Sequence, residues 1–196
     1  MYRFSLSDPQ FLPHLGCEVD FSLEKGELIC LVGENGLGKT TLMERFFKMN
    51  QPHVAMVHQK PLDFFYDRNL SKLKDIFLQS QHSEISLSRF HDYWKLFNLH
   101  VKEKRLFSSL SGGESQALKL CLSLSVSKDI YFLDEPSQFL DDVSKLKLSE
   151  MLQELSQKSK TMMIIEHDLS WMKFPVTVCQ LEIKNHLLSR GRTWST

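Results

Sequence analysis

The chain contains 196 residues, with 24 basic and 24 acidic side chains and a formal net charge of zero at neutral pH. This length is sufficient for one domain with a sizeable core, and the balanced charge does not indicate a nucleic-acid partner. The four cysteines are scattered without a C-x-x-C pair, so reduced thiols in a cytosolic protein are expected rather than a zinc site or disulfides. The sequence has no apolar run of about 18 residues, so no membrane span is predicted. The first residues lack the apolar core of a signal peptide.

Two short alternating segments open the chain. Residues 2–6 and 19–23 are predicted strands, and their place before the next motif is typical of a side sheet. Phe4 or Phe11 is a candidate to stack on a purine base, and the alternative is that both are core aromatics. The sequence leaves this choice open.

The most informative segment is residues 33–40, called the phosphate loop below, which fits the pattern G-x-x-x-x-G-K-[ST]. Residues 27–32 predict a buried strand before it, and residues 41–47 predict a helix after it. Its glycines allow a tight turn whose N–H groups surround phosphates. Lys39 adds a positive charge near the β- and γ-phosphates, and the Thr40 hydroxyl can ligate Mg²⁺.

A helix that begins near Lys39 also directs the positive end of its dipole at the phosphates. The loop therefore predicts a site for a nucleoside triphosphate or another polyphosphate. The candidate binding residues here are Gly33, Glu34, Asn35, Gly36, Leu37, Gly38, Lys39, Thr40 and Thr41.

The middle of the chain changes character. A buried strand is predicted at 53–57, and Gln59 follows it, where it is either a loop residue or a side chain that reaches a metal or water in a cleft. Residues 62–110 are rich in aromatics and predict a small inserted helical subdomain. The run 64–66 and Trp94 are predicted to form its core, with a docking groove for a partner helix as the alternative.

Residues 110–116 read LSGGESQ and begin another predicted helix. Ser111 is a good N-cap, and Glu114 completes a capping box. This helix N-terminus is a candidate second anion site, and the alternative is that the glycines and the cap simply start a helix.

Polar residues follow two further predicted strands. Asp134 and Glu135 end an apolar run, and adjacent buried acids are costly unless they bind a metal or act chemically. Asp134 is placed to hold Mg²⁺, and Glu135 to take a proton from water. His167 follows the strand predicted at 161–165 and is either a contact of the γ-phosphate region or a structural histidine. Residues 176–188 predict a closing hairpin.

The order of these motifs resembles the ATP-binding cassette (ABC) ATPases over nearly the whole chain, and LSGG beside a phosphate loop is a highly specific combination. The resemblance gives the following assignments: residues 33–41 to the Walker A motif, Gln59 to the Q-loop, residues 110–116 to the signature, residues 130–134 to Walker B, Glu135 to the catalytic glutamate, Asp141 to the D-loop and His167 to the switch histidine.

The resemblance implies an α/β fold, with a P-loop NTPase core of mostly parallel sheet, a small antiparallel β side sheet and an inserted helical subdomain. One domain is expected over 1–196, with a RecA-like core from 1–61 and 111–196 and the helical subdomain at about 62–110. The implied cofactors are ATP and Mg²⁺. The implied catalytic residues are Glu135, His167 and Gln59, the implied metal ligands are Thr40, Gln59 and Asp134, and the implied contacts to the ATP of a second copy are Ser111, Gly112, Gly113 and Glu114.

Three features depart from the family pattern. Lys39 and Gln59 are only 20 residues apart (59 − 39), roughly half of the family's usual spacing, so the side sheet is expected to be reduced. The D-loop reads SQFLD instead of the common small-residue form, and Lys119 stands where an arginine is frequent.

The leading functional hypothesis is the ATP-binding and ATP-hydrolysing subunit that powers an ABC transporter. The chain is expected to pair with a second ABC subunit, most simply an identical copy, and with a separate membrane permease. It would then be a cytoplasmic protein that lies peripherally on the cytoplasmic face of the membrane. The alternative is a soluble ABC ATPase that acts on ribosomes or nucleic acid, because residues 132–137 and 166–169 also look similar to the ribosome-recycling cassettes. A degenerate cassette that only binds ATP is less favoured, because every catalytic position is present.

Overall fold

The computed structural model describes residues 2–6, 19–50, 53–58, 68–72, 86–99, 104–182 and 187–194. Its side chains are described between residues 23 and 176 of these ranges. The strands and helices, numbered in chain order, are β1 (Tyr2–Leu6), β2 (Val19–Leu23), β3 (Leu28–Val32), α1 (Lys39–Met49), β4 (Val54–Val57), α2 (Leu87–Leu96), α3 (Gly112–Ser125), β5 (Ile130–Asp134), α4 (Asp142–Gln157), β6 (Thr161–Ile165), β7 (Val176–Glu182) and β8 (Leu187–Trp194). A short 3₁₀ turn, Phe107–Ser109, precedes α3.

Six strands form the central sheet in the order β4-β5-β6-β3-β7-β8. The first five are mutually parallel, and β8 runs antiparallel to β7. The predicted α/β fold with a mostly parallel sheet is thereby confirmed. The closing hairpin is confirmed as well, although its turn at 183–186 lies outside the described residues. β1 and β2 form a separate two-stranded antiparallel sheet, with Phe4 opposite Phe21.

Apolar side chains cover both faces of the central sheet. Alternate residues of β3, β5 and β6 point to opposite faces, so that Ile29 joins one apolar cluster and Cys30 the other. Helix α1 contributes Leu42 and Phe46 to the first cluster, whereas α3 and α4 contribute to the second. Burial on both faces is the reason why these strands read as continuous apolar runs in the sequence.

Three helices begin with a polar cap. Ser86 accepts from the Arg89 N–H at the start of α2, and Asp141 accepts from the Ser144 N–H at the start of α4. The predicted capping box of α3 is present in both directions, with distances of 3.2 Å and 2.8 Å between Ser111 and Glu114. These caps satisfy N–H groups that have no partner within the helix.

Part of the predicted helical subdomain is described. Helix α2 packs on α3. Its residues Phe90 and Tyr93, together with Phe97 just after the helix, join the same apolar cluster as α3 and the sheet. Trp94 is half-buried against that cluster. The aromatic run 64–66 lies outside the described residues, as does Phe11, and of Phe4 only the backbone is described. The boundary of a helical subdomain and the assignment of β1 and β2 to a side sheet therefore stay predictions.

The carboxyl ends of β3, β4, β5 and β6 lie at one edge of the sheet, because these strands are parallel. The segments that follow them carry the predicted site residues, as is usual in open α/β sheets. In the described part of the chain, no helix has both the length and the apolar character needed to cross a membrane.

Candidate functional site

The phosphate loop connects β3 to α1 and is closed around the Lys39 ammonium. Lys39 Nζ donates to the carbonyl oxygens of Gly33 and Glu34, each at 2.8 Å, and only 6% of the residue is exposed. Gly36 and Gly38 have φ angles of 83° and 84°, in the left-handed region that favours glycine. Gly38 is the N-cap of α1, and no side chain among the described residues caps this helix, so the N–H groups of its first turn are available to an anion.

A cavity of about 580 Å³ joins the phosphate loop to the ends of β5 and β6. The structure therefore brings most of the predicted phosphate-loop residues together with Glu135 and His167. The cavity is lined by Asn35, Gly36, Gly38, Lys39, Thr40, Thr41, Glu135, Gln138, Ile165 and His167.

Asp134 is the last residue of β5 and lies near Thr40 and Lys39, two residues that line this cavity. It is 1% exposed, and burial raises its pKa to about 6, while the nearby Thr40 hydroxyl and Lys39 ammonium lower this pKa. The Thr40 hydroxyl is near enough to act on this pKa, but within the described residues no hydrogen bond of standard geometry reaches either carboxylate oxygen of Asp134. A buried carboxylate without a partner is costly, and a carboxylate beside a threonine hydroxyl supplies the hard oxygen ligands that Mg²⁺ prefers. The residues present thus fit a divalent cation.

Burial also changes the pKa of Lys39. Loss of solvent lowers the pKa of its ammonium, and the negative charges of Glu135 and Asp134 act in the opposite direction. One cation and two carboxyl groups therefore share this edge of the sheet, which is the electrostatic arrangement needed for a phosphate chain with its metal.

Glu135 and His167 form a pair at the mouth of the cavity, with 3.3 Å between Glu135 Oε1 and His167 Nε2. The Glu135 side chain is 19% exposed and that of His167 47% exposed, so water has access to both. Glu135 has a φ of 47°, which is uncommon for a residue with a side chain. Such backbone outliers concentrate at functional sites.

Glu166, between β6 and His167, connects the two segments that carry this pair. It is 6% exposed, and its carboxylate accepts from the Ser137 N–H at 3.3 Å and from the His167 N–H at 3.0 Å. Burial raises the pKa of Glu166, and these hydrogen bonds lower it. The segments that carry Glu135 and His167 are thus tied together by one buried carboxyl group.

The residues of the LSGGE segment are not part of this cavity. Ser111, Gly113 and Glu114 line a second cavity of about 440 Å³, together with Phe139 and residues 97–99, which follow α2. The Glu114 carboxylate is engaged by the Ser111 N–H and by Arg105 at 3.2 Å. The structure of one chain therefore does not bring residues 111–114 to its own phosphate loop.

Some residues at the site were not found from the sequence, and one predicted residue is not placed. Gln59 lies outside the described residues. Gln138 lines the main cavity, and the only sequence signal for it is its place shortly after the two acids. Phe139 has a φ of 65° and is 67% exposed; its departure from the small-residue pattern was the available signal.

The sequence of this chain is similar to those of known ABC proteins. A family model described as ABC transporter matches residues 17–138. An ABC transporter ATP-binding protein of Treponema denticola is 29% identical over 190 residues, which cover 89% of this chain and 38% of that protein. The manganese transport system ATP-binding protein MntB of Bacillus subtilis is 27% identical, over 78% of this chain and 70% of that protein. The translation initiation factor rli1 of Schizosaccharomyces pombe is 31% identical, over 72% of this chain and 24% of that protein.

Solved structures resemble the fold closely. An ATP-binding subunit of an ABC transporter has a TM-score of 0.72 at 16% identity, over 91% of this chain and 82% of that one. The archaeal ribosome recycling factor aABCE1, solved with the ribosomal stalk protein aP1, has a TM-score of 0.64 at 26% identity, over 98% of this chain and 38% of that one. The chain spans 34% to 40% of the length of the first curated relatives that it matches.

Proposed function

This chain belongs to the ABC transporter family, as an ATPase domain of it, and from that premise we propose that it binds MgATP at the edge of its parallel sheet and hydrolyses it to power transport. The observation that carries the proposal is the convergence of Lys39, Glu135 and His167 on one cavity beside the N-terminus of α1. In this proposal, the phosphate loop holds the β- and γ-phosphates. Asp134 and Thr40 hold Mg²⁺, which supplies charge neutralisation of the phosphates.

Glu135 is proposed as the general base for the attacking water. Its carboxylate lies at the mouth of the cavity and is half-buried, and His167 is within hydrogen-bond distance of it. His167 is proposed to orient this carboxylate and to contact the γ-phosphate. Gln59 is assigned to the metal and the water by the family pattern alone. Catalysis of phosphoryl transfer depends mainly on positioning and charge stabilisation.

The nucleotide site is proposed to be completed by a second ABC subunit, most simply a second copy of this chain. The support is that residues 111–114 lie outside the main cavity while still presenting a helix N-terminus. In a head-to-tail pair, Ser111, Gly112, Gly113 and Glu114 of each copy would face the ATP held by the other. This arrangement would use the second anion site that the sequence predicts.

The transport role further requires a membrane permease made by another chain, which would place this protein at the cytoplasmic face of the membrane. The test is affinity purification of the full chain in mild detergent, followed by mass spectrometry, with a Glu135→Gln chain to stabilise the assembly. Recovery of a multi-span membrane protein in stoichiometric amount supports transport. A fully active ATPase that recovers no membrane protein and is indifferent to membranes argues against it.

A second candidate is a ribosome-associated ABC ATPase. The similarity to rli1 and to aABCE1 favours it, whereas the zero net charge of the chain does not. The same purification discriminates between the two, because salt-sensitive recovery of ribosomal proteins and RNA would support the second candidate.

A further inference from the structure

Helix α3 carries one buried amide that points at the segment after β5. Gln116 is 2% exposed on a helix whose other buried positions are mostly apolar. Its Nε2 donates to the Pro136 carbonyl at 2.9 Å and lies 3.4 Å from the Glu135 carbonyl. A buried amide needs such partners, because an unsatisfied one is costly.

The turn that Gln116 contacts holds Glu135 in an unfavourable backbone conformation. Glu135 has a φ of 47°, and this geometry persists only where surrounding contacts fix it. Three other contacts contribute: the Glu135 N–H donates to Ile165 at 2.9 Å, the Gln138 N–H donates to the Glu135 carbonyl at 3.1 Å, and Ser137 donates to Glu166. Each of these comes from the turn itself or from the β6 segment, whereas the Gln116 contact comes from α3.

A second contact joins the same segment to the start of α3. A Cβ on Gly113 would lie 3.0 Å from the Phe139 carbonyl oxygen, and a Cβ on Gly112 would lie 3.3 Å from the Phe139 ring. Residues 135–139 therefore contact α3 both at Gln116 and at the two glycines. In the proposed head-to-tail pair, Glu135 and the glycines Gly112 and Gly113 of one chain would serve two different nucleotide sites. The contacts of residues 135–139 with α3 connect these two groups within the chain.

We propose that Gln116 is a positioning residue for Glu135: its amide fixes the turn that aims the Glu135 carboxylate, and it makes α3 and that turn move as one body. The inference builds on the proposed hydrolytic role of Glu135. A displacement of the LSGG helix start on contact with a partner's nucleotide would then be transmitted to the carboxylate of the same chain.

The test compares Gln116→Met with Ser123→Ala in the full chain. Met matches the length of Gln and removes the donor. Ser123 is a matched control, since its hydroxyl lies on the same helix and donates to a strand carbonyl, that of Met56, at 3.3 Å and away from the cavity. We expect Gln116→Met to lower kcat by about 10- to 100-fold, because small misplacements of a catalytic group are that costly. KM for ATP should change less than about twofold, as positioning affects the chemical step and not phosphate binding.

Hydrogen exchange supplies a second readout that a general loss of stability would not produce. In Gln116→Met, peptides that cover residues 135–139 should exchange faster, while those from the middle of α3 should match Ser123→Ala. If Gln116→Met does not fold, Gln116→Ala replaces it, since it leaves room for water beside the Pro136 carbonyl, and the same split between kcat and KM is expected.

Glu135→Gln serves as the reference arm. A kcat of Gln116→Met within about twofold of the unaltered chain, while Glu135→Gln is inactive, overturns the positioning role and leaves the proposed function intact. Normal turnover by Glu135→Gln overturns both.

Discussion

The Glu135 carboxylate lies 3.3 Å from the His167 imidazole because two neighbouring strands are in register. Asp134 at the end of β5 pairs with Ile165 at the end of β6, and the next N–H, that of Glu135, donates to the Ile165 carbonyl. The chain therefore leaves both strands at the same level. A carboxylate and an imidazole from segments 32 residues apart are brought together by backbone pairing before any ligand is bound.

Lys39→Ala should weaken ATP binding by about 10- to 100-fold, the loss expected for charge-assisted hydrogen bonds. The ammonium is already directed into the phosphate loop by the Gly33 and Glu34 carbonyls, so little reorganisation precedes binding. Titration with a fluorescent ATP analogue measures the affinity. Lys48→Ala is the control, because Lys48 is an exposed lysine in the last turn of the same helix. Equal affinities of the two variants would refute the assignment of the loop.

Asp134→Asn should stabilise the protein without nucleotide, in EDTA, at neutral but not at acidic pH. The pKa of Asp134 is raised to about 6 in the folded chain, from the ordinary value of 3.8 for an aspartate side chain. Below the lower value the carboxyl is protonated in both states and carries no penalty, and above the higher value the charged form is buried in the folded state alone. The free energy of unfolding of the unaltered chain therefore falls, relative to that of Asp134→Asn, as pH rises from about 4 to about 6.

The rise of this pKa from 3.8 to about 6 corresponds to an upper limit of about 3 kcal/mol in the free energy of unfolding, or a Tm difference of no more than about 6–12 °C. Thermal unfolding of both chains at pH 4, 6 and 8 measures it. A Tm difference that does not change over this range would show that Asp134 does not carry a buried charge. Loss of Mg²⁺-dependent turnover in Asp134→Asn is expected from its proposed role as a ligand.

A mixture of Lys39→Ala and Gly112→Asp chains tests whether nucleotide sites are shared between two copies. Each variant alone should be inactive, because every site in its dimer has one broken half. The mixed dimer contains one intact site and one doubly broken site, so ATPase activity should partly return under conditions where subunits exchange. No recovery with exchange confirmed by labelled subunits would contradict the shared site. Lys48→Ala mixed with Gly112→Asp provides the baseline for dilution.

Much of the core was predictable because its physical signals are local. The strands β3, β5 and β6 are buried on both faces and so appear as continuous apolar runs, and the Ser111–Glu114 capping box is a four-residue pattern. The phosphate loop was predictable for the same reason, since its glycines and Lys39 are adjacent in the sequence.

The contacts that hold the site in place were not predictable, because they join residues distant in sequence. Nothing near Gln116 indicates that its amide reaches Pro136, 20 positions further along. The left-handed φ of Glu135 is similarly invisible, because the residue is not a glycine and the turn is imposed by tertiary contacts. Phe139 stood out as a bulky residue in the D-loop, but its contact with Gly112 depends on how that loop folds back on α3.

The central claim is that the Glu135 carboxylate activates water for hydrolysis but is not needed for ATP binding. Glu135→Gln tests this claim most directly. ATP affinity and single-turnover phosphate release should be measured on the same preparation, together with the dimer fraction in ATP. The account predicts unchanged affinity, a 10²- to 10⁴-fold slower release, and an ATP-bound dimer that accumulates. Phosphate release at the rate of the unaltered chain would contradict it.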